Sequence, residues 1–112
     1  MRNKQLLFSL GLCAKAGKLI YGVPMICEAM GSKKQPVLVL AAVDNAKNSA
    51  KRLADKCSFY GVTLCQSGVE GDVLAHAVGK TARLAAVGIT DPNLAALVAK
   101  NIGEAPAEKQ DE

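Results

Sequence analysis

Few residues of this 112-residue chain have the types and spacing that catalysis or metal binding requires. Its one histidine, His76, has no cysteine, serine or carboxylate at a spacing that makes a general base or a ligand set. Cys13, Cys27, Cys57 and Cys65 stand 14, 30 and 8 residues apart, so there is no C-x-x-C pair and no zinc-type spacing. Each lies among Ala, Leu, Val or Ile and reads as a reduced thiol in an apolar core. Asp44, Asp72 and Asp91 each precede a helical pattern, where capping accounts for a carboxylate better than acid–base work does. Gly79-Lys80-Thr81 matches only the end of a phosphate-binding loop. The pattern G-x-x-x-x-G-K-[ST] needs glycine where Leu74 stands, and the lysine follows a helix instead of opening one. Gly68-x-x-Gly71 lacks the strand-turn-helix setting of a dinucleotide site. No catalytic residue, metal or cofactor is expected, and the chain reads as non-enzymatic.

The chemistry that remains is charge. The formal net charge of +4 is unevenly spread. Residues 1–56 carry a net +7, residues 57–103 are neutral, and residues 104–112 carry −3. Positive charge gathered in one half of a folded body is the footprint of a polyanion binder. Lys18, Lys47, Lys51, Lys80 and Arg83 are the candidate phosphate-neutralising residues, because basic side chains at element ends and loops are placed for recognition. Lys47, Lys51, Arg52 and Lys56 share the polar side of one helical pattern, which a plain solvated face also explains. With no tryptophan, and only Phe8, Tyr21, Phe59 and Tyr60 as aromatics, a stacking platform for single strands is not supported. Structured RNA, read by shape and phosphates, fits better. No apolar run approaches the ~20 residues of a membrane span. Leu6, Leu7, Leu10 and Cys13 fall at helical spacing, so the N-terminal stretch reads as a first helix and not as a lipoprotein signal. A cytoplasmic protein with no membrane partner is expected.

The elements that must position these residues alternate in period along the chain. A helix over residues 4–15 stops at Gly17, and the strand Leu19-Ile20-Tyr21 leads to Gly22. A second helix opens at Val23-Pro24, with proline suited to the first turn, and ends at Gly31. Val37 to Ala42 is a continuous apolar run, as a strand covered on both faces reads. A third helix over residues 46–60 buries Ala50, Leu53, Ala54 and Cys57 at helical spacing and ends at Gly61. Val62 to Cys65 is a third strand. A fourth helix covers residues 72–78, with Ser67-x-x-Glu70 as a weak capping box. Leu84 to Ile89 is the fourth strand, and Asp91 caps a fifth helix whose Leu94, Leu97 and Val98 face inward. This pattern predicts one three-layer α/β/α sandwich with a four-stranded sheet, spanning residues 1–103. Residues 104–112 read as an acidic, flexible tail.

Five segments carry a family resemblance. They are Ala16-Gly17-Lys18-Leu19 with Gly22; Val39-Leu40-Ala41 leading to Asp44; Asp55-Lys56-Cys57 with Phe59-Tyr60; Leu74-x-x-Ala77-Val78-Gly79-Lys80; and Ala86-Val87-x-x-Thr90-Asp91. Together, over about residues 6 to 99, the chain resembles the YlxQ-like bacterial members of the ribosomal L-seven-Ae / L-thirty-e superfamily of kink-turn RNA binders. The resemblance implies a mixed sheet and an RNA surface at one end of the domain. It assigns contacts to Gly22 through Glu28, to Asp44 and Asn45, and to Gly79 through Arg83, with Gly22 permitting close backbone approach. It also puts the ribosome and ribosomal RNA among the partners. Pro24, Met25 and Glu28 stand where the RNA-binding members carry Asn, Glu and Lys to read guanine edges. An adaptor of the same fold that binds protein in place of specific RNA is the alternative reading, since exposed methionine suits adaptable protein contacts.

Overall fold

Alternation along the second strand sets the architecture. Leu38 and Leu40 point to one face of the sheet, Val39 and Ala41 to the other, and all four are buried. A strand buried on both faces needs a helical layer on each side. The computed structural model describes residues 3–110, with side chains for residues 4–102. Within them lie α1 (Asn3–Lys15), β1 (Leu19–Tyr21), α2 (Val23–Ala29), β2 (Leu38–Ala41), α3 (Lys47–Tyr60), β3 (Thr63–Gln66), α4 (Gly71–Ala77), β4 (Ala86–Ile89) and α5 (Pro92–Gln110).

The sheet order is β1-β4-β2-β3. β2 and β3 run parallel, whereas β4 is antiparallel to both β1 and β2, so the sheet is mixed as the resemblance implies. One core packs Leu6, Leu10 and Cys13 of α1, Leu74 of α4, and Ala95 and Val98 of α5 on Leu38, Leu40, Val87 and Ile89. The other packs Val23, Ile26 and Cys27 of α2 and Leu53 and Cys57 of α3 on Val39, Ala41 and Ala86. The fold is a three-layer α/β/α sandwich. Each fully buried aliphatic side chain contributes about 1.5–3 kcal/mol by leaving water. Gly88 lets the strand approach its cover closely, since a Cβ there would sit 3.1 Å from Pro36.

Several local expectations are corrected. Ala54 is exposed and Leu97 is partly so, because the buried stripes of α3 and α5 are narrower than the sequence period suggests. Ser67 makes no capping box with Glu70; its hydroxyl accepts from the Val69 N–H and donates to the Val69 carbonyl. Asp72 lies inside the first turn of α4 and not at its cap. Asp91 does cap α5, accepting from the N–H groups of Asn93 and Leu94. The backbone stays helical to Gln110, past Gly103, where the sequence reading ends the domain. Glu104, Ala105, Ala107, Glu108 and Lys109 are good helix formers, whereas Pro106 among them opposes a helix interior. The side chains expected to form a solvated acidic tail lie outside the described residues.

Candidate nucleic-acid interface

Strand polarity decides which loops meet. Tyr21 pairs with Val87, Ala41 with Ala86, and Ala41 with Gln66. The C-terminal ends of β1, β2 and β3 and the N-terminal end of β4 therefore share one edge of the molecule. Four connections gather there: Gly22, residues 42–46, residues 67–70 and residues 78–85. Backbone hydrogen bonds stitch them together, with Gly22 N–H donating to Ala86 O, Ala42 to Ala85, Val43 to Val69 and Ser67 to Ala41, at 2.8–3.0 Å.

Gly22 has φ +87°, a conformation that side chains other than glycine avoid. A Cβ added there would meet nothing closer than Pro24 Cδ at 3.8 Å, so the backbone is bare on its open side. Lys80 follows Gly79 out of α4 and reaches over the ring of Tyr21, its Nζ 4.4 Å from the centroid. Such a cation–π seat holds the ammonium near Gly22 while leaving it accessible.

Asp44 does not cap the helix that follows it. Its Oδ1 accepts from the N–H of Gly71 at 2.9 Å, capping the start of α4 from a distant loop. Its Oδ2 takes Arg83 Nε at 3.2 Å, and Arg83 Nη2 donates to the Asp44 carbonyl. The Gly71 N–H first, and the Arg83 guanidinium second, hold the Asp44 carboxyl below its ordinary range. Arg83 is thus an internal brace as well as a half-exposed cation. Beside it, the Asn45 side chain has both polar atoms buried and without a hydrogen-bond partner. Buried amides are rarely left unpaired, because each lost bond costs about 1–3 kcal/mol. α3 begins directly after, with no side-chain cap at Ala46, and Lys47 is exposed in its first turn.

Gly22, Asn45, Lys47, Lys80 and Arg83 are therefore brought to one end. Lys51 sits one helical turn along α3 from Lys47 and pairs loosely with Asp55 at 3.6 Å, an exposed bridge of little strength. Lys18 is not part of this end. Its carbonyl accepts from Thr90 where Leu19 pairs with Ile89, at the opposite end of the sheet. Sequence reasoning missed Tyr21 as the seat of Lys80 and Gly71 as the partner of Asp44. The small residue opening α4 was the available signal for the second; nothing local signals the first. Among the described residues no group of three His, Cys, Asp or Glu side chains can hold a metal ion, and no helix is long and apolar enough to cross a membrane.

No protein-family model matches the chain. RNA-binding protein YlxQ of Bacillus subtilis is 34% identical over 87 residues, covering 77% of this chain and 83% of its own. The chain belongs to the YlxQ family. Among solved structures, a protein of unknown function from Bacillus halodurans superposes with a TM-score of 0.73 at 30% identity, over 85% of this chain and 97% of its own. A 15.5 kD RNA binding protein from Giardia lamblia superposes with a TM-score of 0.70 at 20% identity, over 92% of this chain and 86% of its own. The Giardia likeness shows a shared fold. A YlxQ-family member with this fold presents the loop end described above as its candidate interface.

Proposed function

We propose that the protein binds structured RNA of the kink-turn kind, including ribosomal RNA, through the loop end, without catalysing a reaction, in the cytoplasm. The observation that carries this reading is the convergence of Gly22, Asn45, Lys47, Lys80 and Arg83 at one edge of the sheet. Its chemistry suits RNA: bare backbone at Gly22 and exposed ammonium groups on Lys47 and Lys80 for phosphates. The family relative named for RNA binding supports it.

Base reading at α2 is weakened in this chain. Pro24 has no N–H and Met25 no donor, while the exposed Glu28 repels phosphate. Affinity then rests on phosphates and shape more than on base edges. The test is a titration of a kink-turn duplex, a plain duplex and a hairpin at two salt concentrations. Salt-dependent binding that favours the kink-turn is expected. Lys47→Gln and Lys80→Gln should each lower the salt slope by about 0.9. No salt-dependent binding to any of the three would sink the reading, and equal binding to all would remove the kink-turn from it.

A second reading, a protein-binding adaptor, is favoured by one observation: Met25 and Val43, both more than half exposed, lie at the same end. A partner retained after nuclease treatment and lost in Met25→Asp would support it.

A further inference from the structure

Four aromatic residues are too few for an extended stacking platform, yet the structure places two of them together at the end of a basic stripe. Asn48, Lys51, Arg52, Asp55, Lys56 and Phe59 follow the helical period along the outer face of α3, opposite the buried Leu53 and Cys57. With Lys47, four cations share this helix with one carboxylate. At its far end the Tyr60 ring lies over Gly31, where an added Cβ would come within 3.0 Å of it, and Gln35 Nε2 reaches the Tyr60 carbonyl. Phe59 stands edge-on to that anchored ring, 4.9 Å between centroids and 82° between planes, and is 80% exposed. A large ring held by a fixed neighbour while its surface stays in water is costly to leave bare. The turn that packs under Tyr60 also carries Lys33 and Lys34.

We propose that the outer face of α3 is a second RNA-contact track, which takes an unpaired strand flanking the structured element held at the loop end. Phe59 stacks on a base, and Arg52 and Lys56 neutralise its phosphates. This rests on the reading given under Proposed function and extends it to a new surface and a defined substrate feature. Two observations select RNA over an apolar partner. Four cations on the helix outnumber its one carboxylate, Asp55, and the stripe starts at Lys47, which already belongs to the loop end. A 14-residue helix spans about 21 Å, so the track leads away from that end continuously. Cations spaced along a groove with one aromatic ring form the arrangement that holds single strands without reading sequence.

The test uses the full-length protein with three probes: a blunt kink-turn duplex, the same duplex with an eight-uridine overhang on either strand, and free octauridine. An overhang on one strand should tighten wild-type binding. Phe59→Ala should lose at least about fivefold on that overhanging duplex and nothing on the blunt one. Arg52→Gln/Lys56→Gln should lower the salt slope by about 1.4 on the overhanging duplex alone. Phe59→Trp should retain binding. Because the chain has no tryptophan, its emission reports this site, and it should be quenched by the overhanging duplex only. Blunt-duplex binding with no gain from either overhang overturns this proposal and leaves the loop-end reading intact. No binding to any probe overturns both. All substituted side chains are exposed or partly so, and unchanged melting temperatures will show that the fold is kept.

Discussion

Gly71→Ala is the substitution that most directly probes how the loop end is built. A Cβ on Gly71 would lie 2.6 Å from Leu84 O and 2.6 Å from Arg83 Cγ. Restoring even a tight contact of 3.4 Å requires the loop to retreat by about 0.8 Å. Arg83 Cγ is mid-side-chain and can swing away, but Leu84 O is backbone and moves only with the connection that leads into β4. That retreat stretches the Leu84 N–H bond to Gly71 O from 3.1 Å, and the Arg83 Nε bond to Asp44 from 3.2 Å, beyond hydrogen-bonding range. Two lost bonds at about 1 kcal/mol each, plus residual strain, give a cost of about 2–3 kcal/mol. At roughly 4 °C per kcal/mol for a domain of this size, the melting temperature should fall by about 8–12 °C. Thermal denaturation followed by far-UV circular dichroism measures it. A loss under 2 °C would mean that the connection yields freely, and the braced description of the α4–β4 loop would be wrong. Titration of the same variant with a kink-turn duplex carries separate information. If the loop presents Lys80 to RNA, affinity falls even at temperatures where the variant is fully folded.

Other consequences follow from single residues. Because the folded Asp44 carboxyl lies below its ordinary value of 3.8, its contribution to stability is complete above that value and is lost as pH falls through the lower folded value. The melting-temperature gap between wild type and Asp44→Asn should therefore be full at pH 5 and close on acidification below 3.8; a constant gap would contradict the pairing. Gly31→Ala combines a left-handed φ of +77° with a 3.0 Å approach to Tyr60 Cε1 and should destabilise by about 1–2 kcal/mol in urea denaturation. Leu40→Ala empties a fully buried position at the middle of β2 and should cost about 2–5 kcal/mol by the same assay. Pro24→Asn/Met25→Glu/Glu28→Lys, which supplies the groups that the resemblance associates with guanine reading, should raise kink-turn affinity at least about tenfold in a direct titration, with little gain on plain duplex.

The fold was legible because its signals are local. The apolar run at Val37–Ala42, the glycines closing α1 and α3, and the Asp91-Pro92 pair each mark an element from neighbouring residues alone. The site was legible only in outline. Charge and loop position pointed to Lys47, Lys80 and Arg83, and the resemblance to Gly22 and Asn45. Which of these meet depends on strand polarity, and no local spacing encodes that. Lys18 shows the limit: it lies four residues before Gly22 and carries the same charge as Lys80, yet β1 separates the two ends of the sheet between them. Asp44 shows another. Preceding a helix, it reads as that helix's cap, while its partners Gly71 and Arg83 lie 27 and 39 residues away.

Counting the cations that are free to meet phosphate changes what the net charge means. Arg83 is bound to Asp44, and Lys18 lies at the opposite end of the sheet. Lys47 and Lys80 remain, so duplex binding at the loop end should carry a salt slope of only about −1.8. That is modest for a protein whose first 56 residues hold a net +7. Arg52 and Lys56, along with Lys33 and Lys34 beyond Tyr60, account for much of the difference, and they lie along or beside the outer face of α3. If the charge serves RNA, most of it cannot act at the loop end alone. An RNA that merely fills that end should show a slope near two phosphates, whereas one that also runs along α3 should show a steeper slope in proportion to the strand laid there. Measured on blunt and overhanging RNA, the slope therefore reports how far the strand extends, independently of which bases are read.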